Sequence, residues 1–196
     1  MMLPKLQKVF LGVCLCVLLL AAPTLSFSIL RTVEGTVTNV SDGDSLKLAT
    51  VEGTALKVRL YGIDAPELEQ VNRKTGMVAK PGQPYGTEAC QALRSRVLGH
   101  KVRLDIMDID RYKRPVGIVS MNNRNINLEI IKEGYAWAYR EYLRGPYASE
   151  FIDAEGEARE RRLGLWNQSN PQPPWEFRKL SKNPANSTRS WWNNLL

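Results

Sequence analysis

Between residues 31 and 63 the sequence alternates with a period of two, and two turn signals break the alternation. Val33, Gly35, Val37 and Asn39 fall on one side, with Glu34, Thr36, Thr38 and Val40 on the other. Asp42-Gly43-Asp44 and Val51-Glu52-Gly53-Thr54 supply the turns. A period of two suits a half-buried strand, and short turns oblige neighbouring strands to run antiparallel. This stretch is therefore expected to be a three-strand antiparallel meander: one strand from Arg31, a second through Leu46 and Leu48, and a third over residues 56–63.

The rhythm then changes. Residues 70–84 carry Gly and Pro without apolar periodicity and read as a long surface loop. Residues 85–98 read as a helix, with Ala89, Leu93 and Val97 on one face and Gly99 closing it. Val102, Leu104 and Ile106 mark a fourth strand and Pro115–Met121 a fifth. A short helix follows over Ile126–Lys132, ended by Gly134, and a last one over residues 147–163 despite Gly156. The order predicts an α+β domain built on a small closed or nearly closed barrel.

Residues 1–26 read as separate from that domain. Lys5 and Lys8 precede an uncharged run over residues 9–22, followed by Pro23, Thr24, Ser26 and Ser28. The run falls short of the about 20 residues a membrane span needs and suits a secretory signal. The expected organisation is a signal peptide or an uncleaved anchor over 1–26, a folded domain over 27–180, and a flexible tail over 181–196. The expected location is secreted or periplasmic, or anchored to a membrane by an uncleaved leader. Lys and Arg number 27 against 20 Asp and Glu. Removing Lys5 and Lys8 leaves the balance basic, which favours a polyanionic partner. His100 is the single histidine, so any site needing two imidazoles is excluded. Cys14 and Cys16 lie in the leader and Cys90 stands alone beyond it, which excludes a disulfide scaffold. Carboxylates, arginines, tyrosines and hydroxyls must carry any chemistry.

Four segments offer them. The first is Asp42-Gly43-Asp44-Ser45, on its own only a turn. The second runs from Arg59 to Glu67, where Pro66 ends the strand and keeps Ala65 extended, so that the Ala65 carbonyl can lie beside the Asp64 carboxylate. Arg59 stands about 16 Å from Asp64 on an ideal strand, a path that a curled strand shortens. The third is the charged hairpin Asp108-Ile109-Asp110-Arg111-Tyr112-Lys113-Arg114. The fourth interleaves Tyr135, Trp137, Tyr139 and Tyr142 with Arg140 and Arg144, a pattern that serves either a core or a stacking surface for single-stranded nucleic acid. Asp44, Asp64 and Glu67 in one place require a cation. An all-oxygen set with a backbone carbonyl suits Ca²⁺ better than a strictly octahedral Mg²⁺ site. Arginine forks beside it match a phosphodiester.

Asp-Gly-Asp-Ser, Arg-Leu-x-Gly-Ile-Asp-Ala-Pro-Glu, Pro-Gly-x-Pro-Tyr-Gly-x-Glu-Ala, Asp-x-Tyr-x-Arg, Gly-x-Ala-x-x-Tyr, Gly-Leu-Trp and Pro-Pro-Trp-Glu-Phe-Arg occur in this order over residues 31–178. Together they resemble the staphylococcal nuclease family. The resemblance implies a five-stranded OB-type β-barrel with three helices, secretion, and Ca²⁺-dependent hydrolysis of DNA and RNA, mainly single-stranded, to 3′-phosphate ends. It implies Asp44, Asp64 and the Ala65 carbonyl as metal ligands, Glu67 as general base, and Arg59 and Arg114 as the arginines on the phosphate. Tyr112 and Tyr139 match nucleotide-pocket tyrosines, and Lys113 and Arg140 are further nucleic-acid-binding candidates. Lys113 stands where Gly is usual, which opens the hairpin, and Ser45 where Thr is usual. No protein partner is implied, and a monomer is expected. The competing expectation is an OB-fold module that binds nucleic acid without cutting it; a binder has no use for the acids.

Overall fold

Strand β1 (Arg31–Asp42) pairs antiparallel with β2 (Ser45–Thr50), which pairs with β3 (Ala55–Leu60). This is the expected meander in a computed structural model of the chain that describes residues 29–182. The leader over 1–26, and the tail beyond Lys182, lie outside the described residues. The first strand also pairs with β7 (Lys101–Ile109), and β7 with β8 (Pro115–Met121). A parallel contact of β8 with β3, Arg59 opposite Val116 and Leu60 opposite Gly117, closes five strands into a barrel. Inward-facing Val37, Leu46, Leu48, Val58, Leu60, Leu104 and Val119 fill it and are almost wholly buried. The register of β1 against β2 slips twice, between Val37 and Asn39 and between Val40 and Asp42. Such bulges bend and twist a strand, and these lie just before the Asp42–Asp44 turn.

The third strand is shorter than its sequence suggests. It stops at Leu60; the chain turns at Tyr61-Gly62 and re-emerges as β4 (Ile63–Asp64), which pairs with β10 (Trp137–Ala138) rather than with the barrel. Gly62 holds φ at +73°, and a Cβ there would stand 2.5 Å from Leu143 Cδ2. Alternation alone cannot see this break. Asn127 secures it from the far side: its amide nitrogen donates to the carbonyls of Tyr61 and Gly117, and its oxygen accepts from the Val119 amide.

Among the described residues four α-helices surround the barrel, one more than expected. They are α1 (Gly86–Val97), α2 (Ile126–Lys132), α3 (Tyr147–Glu160) and α4 (Pro174–Lys182). The first buries Ala89, Leu93 and Val97, as the spacing predicted. The second is capped by the Asn125 side chain, which accepts from the Leu128 amide. The extra helix, α4, reaches two residues into the segment expected to be a tail, with Pro174 in its first turn, where a missing N–H costs nothing. Two short pairs complete the fold: β5 (Gln70–Val71) with β6 (Val78–Lys80), inside the stretch expected to be loop, and β9 (Arg124–Asn125) on β8. No helix among the described residues is long and apolar enough to cross a membrane. Cys90 is buried and free.

Candidate active site

The break at Tyr61-Gly62 makes the site. Because the chain doubles back there, Arg59 reaches Asp64 after all: its Nη2 lies 2.7 Å from Asp64 Oδ1 and 3.0 Å from Asp44 Oδ2. A continuous strand would have held them about 16 Å apart. Asp44 arrives from the β1–β2 turn, its Oδ2 accepting the Ala65 amide at 3.1 Å and its Oδ1 the Ser45 hydroxyl at 2.8 Å. Gly43 permits this approach, since a Cβ there would stand 2.6 Å from Ala65 Cβ and 2.7 Å from Ala89 Cβ. Glu67 follows on the loop after β4, its amide donating to Gln83 Oε1 at 3.1 Å.

Asp64 is 0% exposed, Asp44 4% and Glu67 7%. Three buried acids require counter-charges, and the chain supplies Arg59, Lys80 and Arg178. Lys80 Nζ bonds Glu67 Oε2. The Arg178 guanidinium, from α4, donates to both oxygens of Asp64 and to Glu67 Oε1. The electrostatics remain uneven. Burial pushes the Asp42 carboxyl up to about 8, with the Asp44 charge adding to it. Burial also raises Asp64, against the pull of Arg178. Burial works against Asp44 too, but Arg59 and its hydrogen bonds hold it below the usual carboxylate range. The all-oxygen donor set fits a hard divalent cation. Among the described residues no three acidic, His or Cys side chains converge on one point. The groups that could hold such a cation are the Asp44 and Asp64 carboxylates and the Ala65 carbonyl, with water completing its coordination.

Asp42, Asp44, Arg59, Ala65, Glu67, Lys80 and Arg178 line a groove of about 650 Å³ together with Tyr112, Arg114, Tyr139 and Tyr142. Arg114 is held by Asp110, Nε to Oδ2 at 2.7 Å, and lies beside the Tyr112 ring, which is 66% exposed. The hairpin is closed, not opened, with Lys113 in the left-handed region at φ 60°. Asp110 explains this: its Oδ1 accepts the amides of Tyr112 and Arg114, and its carbonyl accepts that of Lys113. Tyr139 has one face covered, since Trp175 stacks on it at 5.4 Å with 3° between the planes. Three candidates stand apart from the groove lining: Asp64, wholly buried and reached through Arg59 and Arg178; Lys113; and Arg140, whose Nη2 bonds the buried Glu155 at 2.7 Å. Tyr135 and Trp137 belong to the core. Sequence reasoning assigned no role to Arg178, Lys80 or Asp42. The Pro-Pro-Trp-Glu-Phe-Arg motif was the visible signal for Arg178, and Asp42 sat beside Asp44 in its turn.

Hard oxygen donors and guanidinium forks in one groove of an OB-type barrel define a phosphodiester hydrolase. Comparison with known proteins narrows the class. Residues 57–168 match the staphylococcal nuclease homologue family. A micrococcal nuclease of Shigella flexneri is 35% identical over 162 residues, covering 78% of this chain and 84% of the relative. An endonuclease of Haemophilus influenzae, otherwise uncharacterized, is 35% identical over 146 residues, covering 74% of this chain and 73% of the relative. A staphylococcal-like nuclease of Arabidopsis thaliana is 37% identical over 123 residues, 63% of this chain and 33% of that longer protein. The chain belongs to the staphylococcal nuclease family, and it is a nuclease. Trp175 and Arg178 lie beyond the stretch that the family match covers.

Proposed function

We propose that the chain is a Ca²⁺-dependent nuclease that hydrolyses single-stranded DNA and RNA, with little sequence preference, to products ending in a 3′-phosphate. The observation that carries this reading is the meeting of Asp44, Arg59, Asp64 and Glu67 in one largely buried cluster at the floor of a groove rimmed by Arg114 and Tyr112. The chemistry that Ca²⁺ supplies when held by Asp44, Asp64 and the Ala65 carbonyl is neutralisation of charge on the phosphoryl oxygens. Glu67 accepts a proton from the attacking water as the new oxygen–phosphorus bond forms, and the bond to the 5′ oxygen breaks in line with it. Arg59 binds a phosphoryl oxygen, and Arg114 takes up charge that grows in the transition state. A guanidinium about 4 Å from such a charge gains on the order of 4 kcal/mol at an effective dielectric of 20.

Loose specificity follows from what faces the groove. The exposed Tyr112 ring, with Arg111 and Arg114 beside it, offers stacking and charge to any unpaired base. The basic leader pattern, and a lone buried Cys90 that needs no reducing compartment, support export or anchoring at the envelope. The test is digestion of heat-denatured DNA and of RNA by the leader-free protein. Cleavage of both in Ca²⁺, with 3′-phosphate ends, is expected; salt-sensitive binding without cleavage under any ion would instead favour a non-catalytic module.

A further inference from the structure

The C-terminal helix does more than cover the barrel. It is nine residues long and brings two residues to the groove lining, Arg178 and, at its end, Lys182. Nη1 donates to Asp64 Oδ1 at 3.0 Å and to Glu67 Oε1 at 2.8 Å, while Nη2 donates to Asp64 Oδ2 at 2.8 Å. One planar fork thus spans two carboxylates, Asp64 at the end of β4 and Glu67 on the loop after it, and it sets their orientation relative to each other. A lysine ammonium, a point charge on a flexible stem, cannot impose that plane. Glu67 has one other side-chain cation partner in the structure, Lys80, whose side chain is 42% exposed.

The helix is in turn fixed to the frame that builds the site. Trp175 stacks on Tyr139 and meets Trp137 edge-on at 5.5 Å. The Tyr139 amide donates to the Gly62 carbonyl, in the same turn that brings Arg59 to Asp64. Gly62, Tyr139, Trp175 and Arg178 form one continuous series of contacts, so the fork is registered against the turn that positions the acids.

We propose that Arg178 is a positioning residue of the active site, carried in by the C-terminal helix to hold the Glu67 carboxylate in fixed orientation beside Asp64. The proposal rests on Glu67 being the general base. A residue that acts through Glu67 affects turnover when Glu67 is a carboxylate and loses its effect when it is not.

The test is a double-mutant cycle in the full-length, leader-free protein, using Arg178→Gln, Glu67→Gln and the pair, with kcat and KM measured on denatured DNA. Affinity for an oligonucleotide in chelator supplies a readout apart from activity. Arg178→Gln is expected to lower kcat roughly 10- to 100-fold, the usual effect of removing a partner that orients a ligand or base. KM and oligonucleotide affinity are expected to stay within about threefold, and in the Glu67→Gln background the same change is expected to cost less than about threefold. Arg178→Lys keeps the charge without the fork and is expected to recover only part of the loss. It carries the same cycle if Arg178→Gln does not fold. Unchanged or raised turnover in the Arg178 variants, or losses that simply multiply, would overturn the proposal while a crippled Glu67→Gln left the nuclease reading intact. Full activity in Glu67→Gln would overturn the proposal together with the general-base role of Glu67.

Discussion

Glu67 illustrates how single residues are set up for chemistry here. It is almost buried, its backbone is tied to Gln83 on both sides, N to Oε1 and O to N, and cations hold both carboxylate oxygens. Replacing it with Gln is expected to lower kcat by about 10²- to 10⁴-fold with little change in thermal stability, measured by steady-state cleavage and a melting curve. Lys113 makes a different residue-scale case. A left-handed backbone costs an L-residue roughly 1–2 kcal/mol, and Gly gives back about 0.5–1 through its freer unfolded chain. Lys113→Gly is therefore expected to stabilise the protein by about 0.5–1 kcal/mol in urea unfolding, the difference of those two effects. The Asp110 carboxylate holds the turn in either case, so cleavage should change little.

At the scale of elements, the decisive feature is the turn between β3 and β4, and Asn127 is what holds it from α2. Its three buried hydrogen bonds join α2, the turn and β8. Asn127→Ala removes all three bonds, although the Gly117 carbonyl keeps the Tyr61 amide as a donor, and we expect it to cost about 1–3 kcal/mol in denaturant unfolding. Much of this scale was legible in advance. Period-two alternation gave β1 and β2, and the spacing of Ala89, Leu93 and Val97 gave α1. The interruption at Gly62 was not legible, because Leu60, Tyr61 and Ile63 are all buried and give no polar signal of a turn. Helix α4 was missed for a related reason. A nine-residue segment behind prolines is too short to be stable by propensity, and Trp175 and Arg178 hold it through tertiary contacts. That Asp44, Arg59, Asp64 and Glu67 come together was legible because chemistry restricts residue type more tightly than packing does. Arg140 shows the reverse: an arginine among tyrosines looked like a phosphate ligand, yet it pairs with the buried Glu155 of α3.

The whole molecule joins an apolar barrel to a groove where buried acids meet guanidinium groups, within a chain that carries more basic than acidic residues. That distribution predicts backbone-dominated binding. The logarithm of affinity for a single-stranded oligonucleotide in chelator should fall linearly with the logarithm of salt, at about 0.7 per phosphate contacted. Arg114→Gln should lower that slope by about 0.7, read by fluorescence anisotropy across a salt series. A slope that does not move would remove Arg114 from contact with the phosphates.

The central claim is that this groove cuts nucleic acid strands with the help of a hard cation. The most direct test is to digest heat-denatured DNA and RNA with the leader-free protein in Ca²⁺, in Mg²⁺ and in chelator, with Glu67→Gln alongside, and to determine the product ends. Cutting of both substrates in Ca²⁺, 3′-phosphate products, and loss of activity in chelator and in Glu67→Gln are the predicted results. Cutting that persists in chelator, or undiminished activity in Glu67→Gln, would contradict the account.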